Sequence, residues 1–419
     1  MKKCKKIKLN FAQKCVKTAS VIMALVSSIT FCAVISYNNI LPDEVRIYEN
    51  DSVKFDNNLT VSKSGVNFAS VGENHDANVD NSYDVTVKLY GIVPIKQVSV
   101  AKIEEMQVVL SGKPFGIKIF TNGVMVVGMS DIEIGGKKYN PAYKAGLRIG
   151  DVIKTLGGYE VATNEDVADV FEGSGGKSVI AKVVRDGKNY TFSIKPIYNK
   201  TDGKYKAGIW VRDSSAGIGT MTFYSPTDGS FAGLGHAICD VDTGKILPLE
   251  SGEIVNANIN AVVKSENGKT GELCGAFSSG RIGALYTNCS DGLYGRLDEY
   301  EKNGRLMSIA TKNEVKTGKA KIYANADNSG PKMYDCVIER IDKSKNAEHS
   351  MVVRITDSKL IEKTGGIVQG MSGSPILQNG KLVGAVTHVF VNSSDKGYAI
   401  FAEKMYYQMK SSCSEKGDK

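Results

Sequence analysis

The second half of the chain is a succession of short apolar runs separated by turn residues, and this pattern restricts the fold more than any other feature. The runs are rich in Val, Ile, Tyr and Gly, and they include AGIWV, GIGTMTFY, FAGLGHAI, EIVNANINAVV, GKAKIYA, YDCVIERI, HSMVVRIT, KLVGAVTHVF and GYAIFAEKM. Helical periodicity is weak until the last of them. Many short strands with turns between them indicate an all-β barrel or sandwich, and roughly 210 residues of this kind are enough for two small barrels. We therefore predict a mainly β protein whose segment 198–419 forms a double β-barrel.

The N-terminus predicts a membrane segment. Seven lysines and no acidic residue precede the uncharged run Thr18–Pro42, whose apolar part Ala19–Tyr37 has about the length that crosses a bilayer as a helix. Positive charge keeps the N-terminus in the cytoplasm, so the remainder should lie across the membrane. We expect a basic cytoplasmic tail at 1–17 and a transmembrane signal-anchor at 18–40. A cleaved signal peptide is the alternative.

The charge balance excludes one class of partner. The net charge is +8, but the seven lysines before residue 18 supply most of it, and the rest of the chain is nearly neutral. A nearly neutral chain lacks the positively charged surface that binds the phosphates of nucleic acid. We therefore predict no nucleic-acid binding.

Residues 41–84 are polar, with Asn and Asp clusters such as ENHDANVDNS at 73–82. No helical or strand period persists there. The composition predicts a flexible stalk open to proteases. His75 lies within it and is interpreted as a solvated side chain.

Residues 85–197 resemble a PDZ domain with a preceding strand. The stretch AGLRIGDVIKTLGGYEV matches the bacterial form of that domain, Asn122-Gly123 predicts a hairpin turn, and Thr163 with Asp166 predicts a capping box. In PDZ domains a peptide adds itself as a strand to the sheet. The resemblance places this peptide site at Phe115, Gly116 and Ile117. Pro114 removes one backbone donor there, so we expect β-addition of an internal peptide or of the stalk, with a mere packing role as the alternative.

The segment GIVQGMSGSPI, residues 366–376, predicts a catalytic turn. Small residues around a serine allow backbone N–H groups to point at an oxyanion. GMSGSP resembles the GDSGGP and GNSGGP signatures of chymotrypsin-like peptidases, and this alignment makes Ser372, rather than Ser374, the nucleophile. Gly370 and Ser372 would then supply the oxyanion-hole donors.

A serine nucleophile needs an imidazole base. The chain has four histidines. His236 lies among small residues in GLGHA and precedes the serine in chain order, as in this class. His388 ends the strand VGAVTH and is the alternative, whereas His75 and His349 lie in polar segments that predict solvated side chains.

The acid that would orient the base is a choice among three aspartates. Asp240 is close to His236 in sequence and cannot easily orient its ring, and Asp395 lies in the turn NSSDKG. Asp357 ends the run MVVRITD and lies between the base and the nucleophile, so we predict Asp357.

Cysteine and metal chemistry receive little support. Cys239, Cys274, Cys289, Cys336 and Cys413 form an odd set with no CxxC spacing, which favours reduced buried thiols, although one disulfide among the first four is compatible with the spacing. A thiol enzyme that used Cys239 beside His236 is the alternative, but the sequence shows no helix N-terminus or residue spacing that would activate the thiol. A metal site made by His236, Cys239, Asp240 and His388 lacks a diagnostic spacing. We predict no metal and no cofactor.

Taken together, the anchor, the PDZ block and two motifs closely resemble the stage IV sporulation protein B family. The motifs are GTMTFYSPTDGSFAGLGHAI and TGGIVQGMSGSPILQNGKLVGAVTHVFVN, and the likeness extends from Val85 to the C-terminus. The resemblance implies a serine endopeptidase with a triad of His236, Asp357 and Ser372. It also implies export from the forespore to the space between the two spore membranes. The expected substrates there are a regulatory membrane protein, whose cleavage triggers sigma-factor processing, and the protein's own N-terminal stalk, whose cut would release it.

A different class of function is also compatible with these features. A membrane-anchored scaffold that binds peptides without cutting them would keep the PDZ block but would not need the serine turn. Reaction of Ser372 with a fluorophosphonate distinguishes the two hypotheses.

Overall fold

A computed structural model describes residues 11–49, 52, 53, 55, 58–63, 82–266, 268–327, 329–344, 347 and 349–414. The chain divides into two compact units, Met1–Glu105 and Met106–Lys419. Most of the predicted basic tail, the segment 64–81 of the predicted stalk, and His75 lie outside the described residues.

The first unit contains one long helix and a four-stranded sheet. Its elements are α1 (Phe11–Ile40), β1 (Glu44–Tyr48), β2 (Leu59–Lys63), β3 (Ser82–Leu89) and β4 (Val93–Ile103). The part of α1 from Val16 to Ile40 has a mean hydropathy of 2.2 and is long and apolar enough to cross a membrane, a test that signal sequences also pass. The strands follow the order β1-β4-β3-β2, with β1 parallel to β4.

This sheet corrects the prediction of a structureless stalk from 41 to 84. In β1, Val45 and Ile47 alternate with Glu44 and Arg46, and the two apolar side chains are buried with Leu59 of β2 in the core of the unit. The alternation is only five residues long, and it is embedded in polar sequence. Pairing with β4 and β3 supplies the stability that so short a strand lacks alone.

The second unit begins with a PDZ-like module. Up to residue 206, the elements of the second unit are β5 (Gln107–Leu110), β6 (Pro114–Met129), β7 (Ile132–Ile134), β8 (Lys137–Tyr139), α2 (Pro141–Ala145), β9 (Val152–Leu156), β10 (Tyr159–Glu160), α3 (Asn164–Gly173), β11 (Val179–Arg185), β12 (Lys188–Ile194), β13 (Ile197–Asn199) and β14 (Lys204–Lys206). Thr163 caps α3 with the predicted capping box, since its hydroxyl accepts from the Asp166 N–H and the Asp166 carboxylate accepts from the Thr163 N–H. The core of the module extends from Val124 to Val211, so it begins and ends later than the predicted 85–197.

The remainder of the chain forms two β-barrels. Its elements are β15 (Ile209–Tyr224), β16 (Ser230–Gly233), β17 (Leu249–Val263), β18 (Glu272–Cys289), β19 (Gly292–Leu297), β20 (Leu306–Ser308), β21 (Gly318–Ala324), β22 (Lys332–Ile341), β23 (Met351–Ile355), α4 (Ser358–Thr364), β24 (Pro375–Gln378), β25 (Lys381–Phe390), β26 (Ser393–Phe401) and α5 (Ala402–Ser414). The first barrel is the ring β6-β17-β18-β19-β16-β15, closed by the pairing of β15 with β6. The second is the closed ring β21-β22-β23-β26-β25-β24. The predicted double barrel is confirmed, but the predicted segment 198–419 does not form it alone, because β6 (Pro114–Met129) supplies one strand of the first barrel.

Strand β6 corrects two predictions. Asn122-Gly123 does not make a hairpin: Gly123 has the positive φ of a turn residue, +87°, but the chain continues as one long bent strand. The first half of β6 pairs with β17 and the second half with β9, while β15 pairs along both halves with register shifts.

The same pairings occupy the predicted peptide site. Phe115, Gly116 and Ile117 lie in the middle of the first barrel, paired with β15 on one edge and with β17 on the other. Phe115 and Ile117 are each 1% exposed. A peptide cannot add to a strand whose two edges are both paired, so this assignment is wrong.

Candidate active site

The turn that carries Ser372 lies between α4 and β24. Gly370 and Gly373 give it its shape with φ angles of +93° and +95°, which other residues rarely adopt. Ser372 is half-buried, whereas Ser374 is 1% exposed and its Oγ has no hydrogen-bond partner among the described residues. Only Ser372 therefore has a hydroxyl that a substrate can reach.

Strand β15 of the first barrel holds this turn of the second. The Thr220 N–H donates to the Ser372 carbonyl at 2.9 Å, and the Thr220 hydroxyl donates to the Gly370 carbonyl at 2.8 Å. The Thr222 hydroxyl donates to the Gly373 carbonyl at 2.8 Å. A Cβ at Gly373 would lie 1.9 Å from the Thr220 carbonyl oxygen, so only glycine fits.

The long hairpin of β17 and β18 supports the loop before the turn. The Leu273 N–H donates to the Gln369 carbonyl at 2.9 Å, and the Gln369 N–H donates to the Gly271 carbonyl at 2.8 Å. The buried Ser265 hydroxyl donates to the Ile367 carbonyl at 3.1 Å. The first barrel thus holds both sides of the loop that presents Ser372.

The predicted oxyanion donors are free to act. The N–H groups of Gly370 and Ser372 have no hydrogen-bond acceptor among the described residues, and both residues are half-buried. The neighbouring N–H groups of Met371, Gly373 and Ser374 all donate within the protein. Two unpaired N–H groups in one glycine-rich turn form an arrangement suited to a developing negative oxygen.

His236 follows a strained turn at the end of β16. Leu234 and Gly235 have φ angles of +62° and +71°, and a positive φ is uncommon for leucine. The His236 Nδ1 lies 2.8 Å from the Ala237 carbonyl oxygen. Because a carbonyl can only accept, Nδ1 carries the proton and Nε2 is left as the basic nitrogen. This is the tautomer that a general base requires.

The surroundings of His236 favour its neutral form. Burial lowers the pKa of His236, and the bond to the Ala237 carbonyl opposes this shift. A neutral imidazole can accept the proton of a serine hydroxyl. His236 is therefore poised to act as a base at neutral pH.

His236 and Ser372 both contact the same short segment of β25. The Ser372 hydroxyl donates to the Thr387 carbonyl at 2.5 Å, and the ring of the next residue, His388, lies 4.4 Å from the His236 ring. A Cβ at Gly235 would lie 2.9 Å from the Thr387 methyl group. In this structure the hydroxyl points to Thr387, so rotation about χ1 is needed to direct it to His236.

His388 is part of an aromatic group that sequence reasoning did not predict. Its ring lies 6.0 Å from that of His349, which stacks on Tyr398 at 3.6 Å. Burial and the charges of His236 and His349 lower the pKa of His388 to about 4. His388 is consequently neutral at physiological pH, and its ring contacts that of His236.

The hydrogen bonds of Asp357 among the described residues go to partners other than His236. Its carboxylate accepts from the N–H groups of Lys359, Leu360 and Asp335, and it caps the N-terminus of α4. In this structure the Ala237 carbonyl, and not Asp357, fixes the tautomer of His236. The assignment of Asp357 as the acid stays a prediction.

The other candidates have structural roles. Asp240 is buried and ion-paired with Arg212, and Asp395 accepts from the Ser393 hydroxyl. Burial and the Asp240 carboxylate raise the pKa of Cys239, which disfavours a reactive thiolate. Cys239, Cys274, Cys289, Cys336 and Cys413 are free thiols. Among the described residues, no cluster of His, Cys, Asp or Glu side chains could hold a metal ion.

Comparison with known proteins identifies the region around this site. The family model for the SpoIVB peptidase S55 matches residues 203–406, a range that includes His236, Asp357 and Ser372. A stretch of 73 residues is 41% identical to a protein of Lactococcus lactis subsp. lactis (strain IL1403) whose name describes a zinc metalloprotease. That match covers 17% of this chain and 17% of the relative.

Solved structures resemble separate parts of the chain. The PDZ domain of the SdrC-like protein Lmo2051 from Listeria monocytogenes is 22% identical and covers 22% of this chain and 87% of its own, with a TM-score of 0.18. The HtrA-type protease AlgW in complex with a decapeptide is 13% identical over 48% of this chain and 55% of its own, with a TM-score of 0.30. The inactive Ser343Ala form of Rv3671c from M. tuberculosis H37Rv is 12% identical over 48% and 83% of the two chains, with a TM-score of 0.27.

Proposed function

We propose that the region matched by the family model for the SpoIVB peptidase S55, residues 203–406, is a serine peptidase with Ser372 as its nucleophile and His236 as its general base. The observation that carries this proposal is that both residues contact the same short segment of β25, Thr387 and His388. The Ser372 hydroxyl is bonded to the carbonyl of Thr387, and the residue after Thr387 lies against the His236 ring. The two side chains come from different barrels and from chain positions far apart.

The proposed reaction is acyl transfer to Ser372. When a substrate enters, the hydroxyl leaves the Thr387 carbonyl and turns to His236, whose Nε2 accepts its proton as Oγ attacks the scissile carbonyl. The oxyanion receives hydrogen bonds from the N–H groups of Gly370 and Ser372. His236 then gives the proton to the leaving amine, and water hydrolyses the acyl-enzyme by the same steps in reverse order.

The rotation of the Ser372 hydroxyl has a chemical consequence. Its bond to the Thr387 carbonyl competes with a bond to the base, so the hydroxyl must leave that carbonyl before it attacks. A substrate that donates its own N–H to that carbonyl would displace the hydroxyl. Substrate binding would then increase the fraction of the hydroxyl that is directed at the base.

The family indicates the biological setting. We infer that the protein acts in sporulation, is anchored by α1, and is exported from the forespore to the space between the two spore membranes. Its proposed substrates are a regulatory membrane protein, whose cleavage triggers sigma-factor processing, and its own N-terminal region, whose cleavage would release it from the membrane. Self-cleavage is not expected within the paired strands of the first unit, because a peptidase needs an extended, unpaired chain.

Incubation of the full-length protein in detergent tests this proposal. Wild-type protein is compared with Ser372→Ala, and the N-termini that appear are sequenced. New N-termini in the region before residue 106 should appear in the wild type only. The same fragments in the Ser372→Ala sample would contradict the proposal.

A further inference from the structure

Strand β15 leaves one edge open beside the candidate active site. Residues 209–220 of this strand pair with β6 on one side. On the other side, pairing with β16 begins only at Met221, and β5 pairs with Phe223 and Tyr224 on the β6 side. Among the described residues no strand pairs with this second edge between Ile209 and Gly219. The open edge ends at Thr220, the residue that holds the turn of Ser372.

The direction of the backbone groups on this edge follows from Thr220. Its N–H donates to the Ser372 carbonyl and its carbonyl accepts from the Leu234 N–H, so both groups point away from β6. The next residue, Met221, donates to Lys113 on the β6 side. Backbone groups in a strand alternate with a period of two.

By this alternation the N–H and C=O groups of Ile218, Ala216 and Ser214 also point outward. Ser214 and Ala216 are exposed, and the residues between them and Thr220 are small or only half-buried. Short side chains such as these do not hinder the approach of another backbone. The edge from Ser214 to Ile218 is thus a template for one more strand.

An aromatic side chain lies at the far end of this edge. Trp210 is the single tryptophan of the chain and is 66% exposed. It faces Gly128 on β6, which has no side chain to cover it, and a Cβ at Gly128 would lie 3.3 Å from the indole. Exposed tryptophan is a frequent anchor in peptide recognition.

The chemistry at His236 indicates which part of a substrate lies here. His236 gives its proton to the leaving amine, which belongs to the chain on the C-terminal side of the scissile bond. His236 and β15 both belong to the first barrel, whereas Ser372 and Thr387 belong to the second. The C-terminal side of the substrate therefore leaves the site along the first barrel.

On the basis of the proposed peptidase function, we propose that β15 binds the substrate segment C-terminal to the scissile bond by β-addition at residues 214–218, with Trp210 contacting an apolar side chain further along. An extended chain needs about eight residues to run from Ile218 to Trp210, at ~3.3 Å per residue. The substrate class is then an extended polypeptide that continues well beyond the cleaved bond. Short peptides would be poor substrates.

The first experiment uses a pair of matched peptides. Unfolded β-casein is digested with the full-length protein in detergent, one cleavage site is mapped, and two peptides with the same N-terminal part are made, ending two and ten residues after the bond. We expect kcat/KM at least tenfold higher for the longer peptide. Ala216→Pro removes the outward N–H and should abolish this difference, whereas Ala216→Val retains the N–H and should preserve it.

The second experiment uses the fluorescence of Trp210. Titration of full-length Ser372→Ala with the longer peptide should shift the emission to shorter wavelength, and the shorter peptide should leave it unchanged. Equal cleavage of both peptides by the wild type, or an unchanged Trp210 emission, would overturn the proposal. An emission shift that depends on protein concentration without peptide would also overturn it, since a second copy would then occupy the edge.

The two proposals fail in distinguishable ways. If neither β-casein nor the protein itself is cut and Ser372 does not react with a fluorophosphonate, the peptidase function fails. The titration of Trp210 with a ten-residue peptide from β-casein still tests strand addition in that case. If cleavage occurs but peptide length has no effect, only the binding edge fails.

Discussion

Thr220 and Ser372 are joined across the two barrels, with the Thr220 N–H donating to the Ser372 carbonyl at 2.9 Å. The hydroxyl of the same threonine bonds to the carbonyl of Gly370, one of the two proposed oxyanion donors. One residue of β15 therefore positions both the proposed nucleophile and the proposed oxyanion turn. The geometry of the site depends on the contact between the barrels.

Replacement of Thr220 by valine tests this contact. Valine has nearly the same shape but cannot donate to the Gly370 carbonyl, so the turn should lose order while the fold remains. We expect kcat to fall about tenfold with a smaller change in KM, and stability to fall by about 1 kcal/mol, the usual value of one hydrogen bond. Steady-state kinetics on the mapped β-casein peptide and thermal unfolding measure both. Thr220→Ser keeps the hydroxyl and should retain activity; equal losses in both variants would contradict this role.

Two glycine substitutions test the space around the turn. Gly373→Ala places a Cβ 1.9 Å from the Thr220 carbonyl oxygen, whereas Gly380→Ala places one where no atom lies within 4 Å. Both glycines have positive φ, +95° and +78°, so the two variants share the cost of that backbone conformation. We expect Gly380→Ala to remain active with a loss of about 1 kcal/mol in stability and Gly373→Ala to lose cleavage. Full activity of Gly373→Ala would show that the turn is not held as described.

The pH dependence of cleavage tests the state of His236. Its pKa lies below the ordinary value of 6.5 because the ring is buried. The base must be neutral, so kcat/KM should be constant above pH 6.5 and fall at lower pH with a midpoint below 6.5. Stability should decrease over the same range, since the unfolded chain takes up this proton more readily than the folded protein.

His388→Phe provides the control for this profile. Phenylalanine keeps a ring beside His236 but cannot titrate, so the acid limb should persist. A midpoint at or above pH 7 in the wild type would contradict a base that burial keeps neutral. Loss of the acid limb in His388→Phe would assign the titration to His388.

Asp357 is the cap of helix α4 in the structure and the predicted catalytic acid in the sequence analysis, and the variant Asp357→Asn distinguishes these two roles. As the cap of α4, it is replaced equally well by asparagine, so Asp357→Asn should unfold within about 0.5 kcal/mol of the wild type and keep most of its activity. Asp357→Ala should lose about 1 kcal/mol because the N–H groups of Lys359 and Leu360 lose their acceptor. As the acid of a triad, Asp357→Asn would instead cost orders of magnitude in kcat with the fold intact. The structure predicts the first result, and the second would show that the region rearranges to bring Asp357 to His236.

The double barrel was predictable from the sequence because its signal is local and repeated. Short alternating strands and turn residues recur throughout the second half, and the small residues of GMSGSP predict a tight turn at Ser372. The capping box of α3 was also predictable, since Thr163 and Asp166 bond only within a few residues of each other.

Predictions failed where distant pairing decides the structure. Gly123 has the backbone of a turn, but partners from β15 and β17 extend the strand through it. The roles of Thr220 and Thr387 depend on contacts between the barrels, and neither residue belongs to a recognisable motif. For Asp357 a local signal exists: an aspartate directly before SKLIEKT is typical of a helix N-cap.

The most direct test of the account is labelling of Ser372 by a fluorophosphonate, which reacts only with a serine activated by a base and an oxyanion site. The full-length protein, Ser372→Ala and His236→Ala are treated in detergent, and the labelled residue is located by mass spectrometry. The account predicts a label on Ser372 of the wild type and none in either variant. A folded wild-type protein that stays unlabelled, or a His236→Ala variant that labels at the wild-type rate, would contradict it.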